Sequence, residues 1–430
     1  MRLDIDGRNC ELESGRSILD AVKKEGLDSI MLSDRPLAAQ IGGEVFNLRF
    51  TPKKDTQIHL LRYGEDMGRR VYERTLQFLF ILAMRKEFPR ARVCVRYSLG
   101  PGLFITVDGM EEPFNEEAAL KVETEMRRLV RLKLPLERRR ISIKEALSFY
   151  EQDGQADKAK LLKWRRFSYF DVYQVDGYMD YFYGEMAPDT SYADVFRVKY
   201  VHDGAVVLLM PRNDAPDVPS DYVDLPKLHA VFHQSDEWGK LMECATVNDL
   251  NTHIQNGTIR ELVRINEALH DRGYADIADK IVQKGAKAVL VAGPSSSGKT
   301  TSAHRISTQL RLQGCHPVML SLDDYYIDRD KIERDENGEI DLENINTLDI
   351  QRFGSDLAAL IRGEKVEVPR FDFTNGKRAP EGRILQLHDD EPVIIEGIHG
   401  LNPMLLSPEV DESKIFRIYV SALTTLNLDD

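Results

Sequence analysis

Residues 293–300 read Gly-Pro-Ser-Ser-Ser-Gly-Lys-Thr and match the pattern G-x-x-x-x-G-K-[ST]. Glycines at these positions let the backbone turn so that successive N–H groups converge, a geometry that wraps the oxygens of a polyphosphate. The candidate nucleotide contacts are Gly293, Ser295, Ser296, Ser297, Gly298, Lys299, Thr300 and Thr301. Lys299 supplies a cation where charge spreads during phosphoryl transfer, and the Thr300 hydroxyl suits a hard cation such as Mg²⁺. Two acids complete the constellation. Asp323 follows the apolar run 318–322 and is placed to accept the proton of an attacking hydroxyl. Glu396 ends the run 392–396 and is placed to hold the metal ion through water. Asp324 is the weaker base, since adjacent residues of a strand face opposite ways. The competing readings are plain: a Ser/Gly-rich connector for the loop, and a turn or cap acid for Asp323.

Such side chains need a sheet to hold them. The run 287–292 fits a buried strand, and 301–312 carries Ala303, Ile306 and Leu310 at helical spacing, closed by Gly314. With apolar runs at 318–322, 392–396 and 416–420, the pattern predicts a parallel α/β sheet with acids at its carboxyl edge, where such sheets bind ligands. Upstream, 2–7 and 9–12 alternate around a turn, Ser17 and Asp20 can cap a helix, and Gly42-Gly43 joins a second hairpin. Two hairpins around one helix suggest a β-grasp-like module over 1–62. A mixed α+β region over 63–215 follows, with helices expected at 72–88 and 116–131. Residues 211–226 read as a boundary loop and 227–283 as helical, giving a connector over 216–284 ahead of an α/β domain over 285–430.

The chain has 430 residues, 42% of them hydrophobic and 30% charged, which is ordinary for a globular multidomain protein. Its net charge of −13 implies no general attraction to nucleic acid or anionic membrane. Cys10, Cys94, Cys244 and Cys315 are scattered, which suggests neither a disulfide framework nor a zinc site. No signal core or membrane span is present, so the expectation is a cytoplasmic protein with no membrane partner, a homo-oligomer being left open. The concentrated basic stretch comprises Arg127, Arg128, Arg131, Lys133 and 138–140. A solvated helix surface paired with Glu123, Glu125 and Glu137 is favoured there over an RNA-contacting face.

The residues at 293–301, 321–326, 344–349, 368–373 and 394–397 together resemble the uridine kinase and phosphoribulokinase family of P-loop kinases. That resemblance implies ATP and Mg²⁺ as cofactors and a small-molecule nucleoside or related sugar as acceptor. It implies Asp323 as general base, Glu396 as the magnesium-associated acid, and Tyr326, Asn346, Phe371, Phe373 and Arg378 around the acceptor. The first sixty residues resemble the TGS domain of threonyl-tRNA synthetases, and 63–215 resembles the second additional domain of those enzymes. There the editing ligands fall at Arg74 and Phe78, with no Cys-His pair in 165–215, so a fold without editing chemistry is expected. The chain as a whole is similar to bacterial fusions of TGS, synthetase-like and kinase domains, of which 399–402 and the ending 421–427 are typical.

Three departures bear on the acceptor. The family's ribose-gripping Asp is Asn346 here, which still hydrogen-bonds but without charge. Its base-reading His falls near Gly376, beside Lys377 and Arg378, cations that would suit an anionic acceptor. Related kinases continue into an Arg-rich lid, whereas this sequence stops at Asp429-Asp430, so the expectation is a truncated form that binds nucleotide but phosphorylates poorly unless the missing part is supplied. The alternatives to a kinase are a P-loop ATPase or GTPase switch, disfavoured by the absence of N-K-x-D, and an RNA- or ligand-binding regulator built on the front domains.

Overall fold

The computed structural model describes residues 1–430 apart from 203, 335–337, 339, 390, 423–425 and 429–430. Residues 423–425 of the run 421–427 singled out above therefore lie outside the described residues. The chain divides into two compact units, Met1–Asn256 with 425–430, and Gly257–Thr424.

The first unit opens with β1 (Arg2–Ile5), β2 (Arg8–Glu11), α1 (Ile18–Lys24), β3 (Ala38–Ile41), β4 (Glu44–Phe46) and β5 (Thr56–Leu61). The expected hairpins form, and β5 joins them into one sheet of order β2-β1-β5-β3-β4, parallel to β1 and antiparallel to β3. Ser17 and Asp20 close a reciprocal capping box, which fixes the start of α1 and turns Ile18, Leu19, Ala21 and Val22 onto the sheet.

Next come α2 (Asp66–Glu87), β6 (Arg92–Leu99), β7 (Gly102–Asp108), α3 (Glu116–Leu132), β8 (Glu137–Ser142), α4 (Ile143–Gln152), α5 (Ala156–Leu162), β9 (Tyr169–Val175), β10 (Tyr178–Asp180), β11 (Arg197–His202) and β12 (Ala205–Leu209). α2 starts six residues earlier than its apolar pattern indicates. The reason is Gly68, where a Cβ would collide with the Arg62 carbonyl, so the first turn packs directly on the preceding strand's end. α2 and α3 share a core with the sheet β11-β12-β7-β6. The segment read as a boundary loop instead forms a ribbon of β13 (Pro211–Arg212) and β14 (Ala215–Pro219), and Pro226 begins α6 (Pro226–Leu241) at the position where a missing N–H costs nothing. α7 (Val247–Asn256) follows.

In the second unit, α8 (Ile259–Lys284) leads to β15 (Ala288–Ala292), α9 (Lys299–Leu312), β16 (Val318–Ser321), α10 (Ile350–Ile361), β17 (Val366–Val368), β18 (Phe371–Asp372), β19 (Lys377–Arg378), β20 (Arg383–Leu385), β21 (Val393–Glu396) and β22 (Ile415–Tyr419). The sheet order is β16-β21-β15-β22, all parallel. Every residue of β15 is buried, as a strand covered on both faces requires. α8 and α9 bring Ala278, Ile281, Ala303, Ile306 and Leu310 to one face; Phe353, Leu357 and Leu360 of α10 cover the other. The connections leaving β15 and β21 depart in opposite directions, so the crevice at their carboxyl ends is a topological switch point. Helical patterning over 227–283 resolves into α6 and α7 in the first unit and α8 in the second.

Candidate active site

The 293–300 loop fills the turn between β15 and α9. Ser296 (φ 59°) and Gly298 (φ 90°) both take left-handed backbone, which curls the loop around its own interior. Gly293 is required by space, since a Cβ there would strike the Val420 carbonyl oxygen and approach Ser297 Oγ at 2.8 Å. Lys299 Nζ donates to the Pro294 carbonyl at 2.8 Å, folded over the loop it serves. Ser295, Ser296, Thr300 and Thr301 are exposed, whereas Ser297 Oγ is buried without a hydrogen-bond partner.

Strand register brings the acids to this loop. Glu396 lies opposite both Val291 of β15 and Ser321 of β16. Thr300 Oγ1 donates to Glu396 Oε2 at 3.2 Å, and Ser321 Oγ donates to Glu396 Oε1 at 2.9 Å. Ser321 Oγ in turn accepts the Asp323 N–H at 3.3 Å, so one chain of contacts runs from the loop's threonine to the backbone of Asp323. Ser321 is the residue that motif reading left unassigned, although its place at a strand end beside another strand's acid was the available signal.

Asp323 stands on a 3₁₀ turn over Leu322–Tyr325, not on the strand. The alternation argument for choosing it over Asp324 therefore does not apply, but the turn separates the two all the same. Asp324 Oδ1 accepts the Phe371 N–H at 3.4 Å, away from the loop. Burial raises the pKa of Asp323 above the ordinary carboxylate value, with Glu396 and then Asp324 adding to it, while Lys299 and His399 pull it down. His399, three residues past Glu396, keeps Nε2 buried without a partner. Gly397 between them is demanded by close packing, a Cβ there falling 2.6 Å from Leu322 Cβ.

The expected acceptor residues separate into two groups. Tyr326, Phe371 and Phe373 converge: ring centroids lie 5.6 Å apart for Tyr326–Phe371, 6.1 Å for Tyr326–Phe373 and 5.0 Å for Phe371–Phe373. Tyr326 OH donates to the Leu342 carbonyl at 3.1 Å, and Phe373 remains exposed. Asn346 is exposed on a 3₁₀ turn capped by Asn344, whose Oδ1 accepts the Asn346 N–H at 3.0 Å. Arg378 is neither a solvated charge nor a free anion receptor. Its guanidinium meets Asp349 at 3.0 Å and donates to the carbonyls of Tyr325 and Tyr326. Lys377 faces Asp330 at 3.3 Å. Gly376 takes left-handed backbone (φ 66°), which disfavours a side chain there, and the Arg329 side chain lies 2.6 Å from where a Cβ would sit.

In the first unit, Phe78 is fully buried core and Arg74 donates to the Glu185 carbonyl at 3.3 Å, with Gly184 packed on its guanidinium. No cluster of three or more metal-ligating side chains occurs among the described residues. The basic stretch is largely neutralised. Arg127 pairs with Glu123 and Arg128 with Glu125, as expected of a helix surface. Arg138 and Arg140, however, lie on β8 and pair with Asp171, Arg138 also with Glu185, rather than with Glu137. No described helix is long and apolar enough to cross a membrane.

Residues 288–429 match the phosphoribulokinase/uridine kinase family, so the C-terminal part of the chain carries a domain of that family. The N-terminal part is homologous to threonine–tRNA ligases. The ligase of Clostridium kluyveri is 25% identical over 194 residues, 45% of this chain and 30% of the ligase. That of Acetivibrio thermocellus is 28% identical over 160 residues, 37% of this chain and 24% of the ligase. The chain thus spans less than a third of the length of these relatives. Among solved structures, a possible uridine kinase from Bacillus stearothermophilus is 23% identical, covering 34% of this chain and 79% of that one, with a TM-score of 0.28.

Proposed function

We propose that the second unit is a Mg·ATP-dependent kinase that transfers the γ-phosphoryl group to a hydroxyl of a neutral, ring-bearing acceptor of the nucleoside type. The observation that carries this reading is the linked set Thr300–Glu396–Ser321–Asp323 at the mouth of the phosphate-binding loop. The loop N–H groups and the positive end of α9 hold the phosphates. Lys299, released from the Pro294 carbonyl, offsets charge on the transferred group. Thr300 and Glu396 offer oxygen donors only, which fits a hard divalent cation that keeps most of its water. When bound, that cation neutralises the β- and γ-phosphate oxygens; Thr300 and Glu396 are the residues that would hold it. Asp323 takes the acceptor's hydroxyl proton as the new O–P bond forms and the bond to the ADP oxygen breaks. Its raised pKa strengthens it as a base.

The acceptor's chemistry follows from what surrounds Tyr326, Phe371 and Phe373. Three rings offer apolar faces, and Arg378 and Lys377 are already paired with Asp349 and Asp330. A phosphorylated sugar would have to break those pairs; a neutral heterocycle would stack without doing so. Asn346 offers its amide to a sugar hydroxyl.

For the front unit, we propose a TGS-like β-grasp over 1–62 and a synthetase-like domain over 63–215 that lacks deacylation chemistry, followed by a helical connector over 216–284. The sheet order β2-β1-β5-β3-β4 and the occupation of the editing positions by Arg74 and Phe78 support this reading.

A screen of nucleosides and sugar phosphates for acceptor-dependent ADP formation tests the function, with Asp323→Asn and Lys299→Ala as controls. Neutral nucleosides should stimulate ADP release and both variants should abolish it. ADP formed equally fast without any acceptor would replace the kinase with an ATPase, and stimulation by sugar phosphates alone would overturn the acceptor assignment.

A further inference from the structure

The helix α5, the loop after it and the strands β9 and β10 carry an unusual concentration of rings and cations. Phe167 and Tyr169 lie 5.7 Å apart, Phe170 and Tyr181 5.1 Å, and Tyr181 and Tyr183 5.5 Å. Guanidinium groups interleave with them. Arg140 stands 4.0 Å over Tyr169, and Arg165 lies 5.7 Å from Phe167 and 4.8 Å from Phe170. Contacts run without a break from Arg140 through Tyr169, Phe167, Arg165, Phe170 and Tyr181 to Tyr183. Arg165 Nε also donates to the Tyr169 carbonyl at 3.2 Å, and the Ile143 N–H to the Ser168 carbonyl, so the loop is pinned in place.

Two of these rings face solvent, Phe167 at 60% exposed and Tyr183 at 58%, with Phe170 buried between them. Trp164 is exposed as well, its Nε1 held by Asn248 at 3.0 Å. Lys163 and Arg166 flank these rings, exposed, and neither has an ion-pair partner among the described residues. They differ in this from Arg127, Arg128, Arg138 and Arg140, whose charges carboxylates satisfy.

We propose that this face binds single-stranded nucleic acid, with unpaired bases stacking on Phe167 and its neighbours and Lys163 and Arg166 taking the phosphates. Every base has a π-face, and an exposed ring beside unpaired cations is the arrangement that recognises it without reading sequence. An acidic peptide would engage the cations but leave the rings unused. A membrane surface takes up such rings along the apolar face of an amphipathic helix, whereas Phe167 lies in the loop after α5. Between residues 156 and 183 the exposed large apolar side chains are Trp164, Phe167 and Tyr183, all aromatic. With a chain net charge of −13, binding depends on this local patch and must weaken as salt rises. The proposal does not depend on the kinase reading.

The test is fluorescence anisotropy of the full chain with a labelled oligouridine, at low and at raised salt, without ATP. The wild-type chain should bind at low salt and lose affinity as salt rises. Phe167→Ala should weaken binding by about five- to a hundredfold, with Phe167→Trp restoring it. Lys163→Ala with Arg166→Ala should lower the salt dependence, whereas Lys53→Ala with Lys54→Ala, an equal charge loss at exposed positions elsewhere, should leave affinity within about twofold. Circular dichroism on each variant separates loss of contact from loss of fold. Absence of binding at low salt overturns the proposal, as does equal weakening by both lysine-containing pairs. Tighter binding to polyglutamate, or to phosphatidylserine vesicles, than to oligouridine also overturns it, in favour of a protein or membrane partner.

Discussion

Replacing Ser321 with alanine removes one oxygen and two contacts. The stronger is the 2.9 Å donation to Glu396 Oε1; the weaker is the 3.3 Å acceptance from the Asp323 N–H. A hydrogen bond to a charged group contributes about 1.5–3 kcal/mol, and the longer neutral contact falls at the bottom of the ordinary range, about 0.5 kcal/mol. Glu396 would keep only its 3.2 Å contact with Thr300, and that exposed hydroxyl cannot hold a carboxylate's orientation alone. Because the phosphate loop itself is untouched, the loss should fall on the chemical step. The expected result for Ser321→Ala is a kcat lower by about ten- to a hundredfold, the rate equivalent of about 1.4–2.8 kcal/mol, with KM for ATP changed by less than about threefold. Ser321→Thr, which keeps the hydroxyl, should recover most of the rate. Steady-state ADP release at saturating acceptor reads both parameters. A folded Ser321→Ala enzyme with kcat within twofold of wild type would refute the idea that the serine couples the two acids. A defect confined to KM would refute it equally, by assigning the residue to nucleotide binding.

Three further outcomes follow from the same geometry. Gly293→Ala drives a methyl group into the Val420 carbonyl and toward Ser297 Oγ, which should cost about 1–3 kcal/mol and abolish ATP binding, checked by thermal unfolding and nucleotide titration. Asp323 has a folded-state pKa raised above its unfolded value, first by burial and then by Glu396, so its ionised form at neutral pH burdens the fold. Asp323→Asn should therefore raise the unfolding temperature at pH 7 while abolishing turnover, and Glu396→Gln should move the acidic limb of any residual kcat/KM profile downward. His59 lies between Asp6 at 2.9 Å and Glu65 at 2.6 Å, hydrogen bonds that raise its pKa, Glu65 more than Asp6. Its contribution is fully present below the unfolded value of about 6.5 and lost as pH rises through the folded one, so the stability gap between wild type and His59→Gln should shrink on going from mildly acidic to mildly alkaline buffer.

What the sequence disclosed and what it hid follow the range of the interactions involved. The 293–300 loop, the β15–α9 junction and the capping box at Ser17 are encoded within a few residues, and each stands where its pattern places it. Glu396 beside the loop was legible because apolar strands ending in acids align at one edge of a parallel sheet. The environment of Arg378 was hidden, because its partner Asp349 precedes it by 29 positions and looks like a simple helix cap. The partners of Arg138 and Arg140 were hidden for the same reason: β8 pairs with β9, and that register alone brings Asp171 opposite Arg140. The ribbon at 211–219 was misread because proline suggests a loop, yet here the pairing spans only the edges of two short strands.

Long-range pairing also decides how charge can be used in each unit. A cation spent on a neighbouring carboxylate stabilises the fold but cannot capture a ligand without breaking that pair. Arg378, Lys377, Arg138 and Arg140 are all in that condition. Lys299 is bound only to a carbonyl, which it can leave at small cost, and Lys163 and Arg166 meet no carboxylate. Lys299 sits beside a phosphate-sized loop in one unit, and Lys163 and Arg166 sit beside exposed rings in the other. Counting arginines along the chain points to 127–140, where four of the cations are held by carboxylates; a cation free of such a pair and beside a place for a ligand is found at Lys299 and at Lys163 and Arg166.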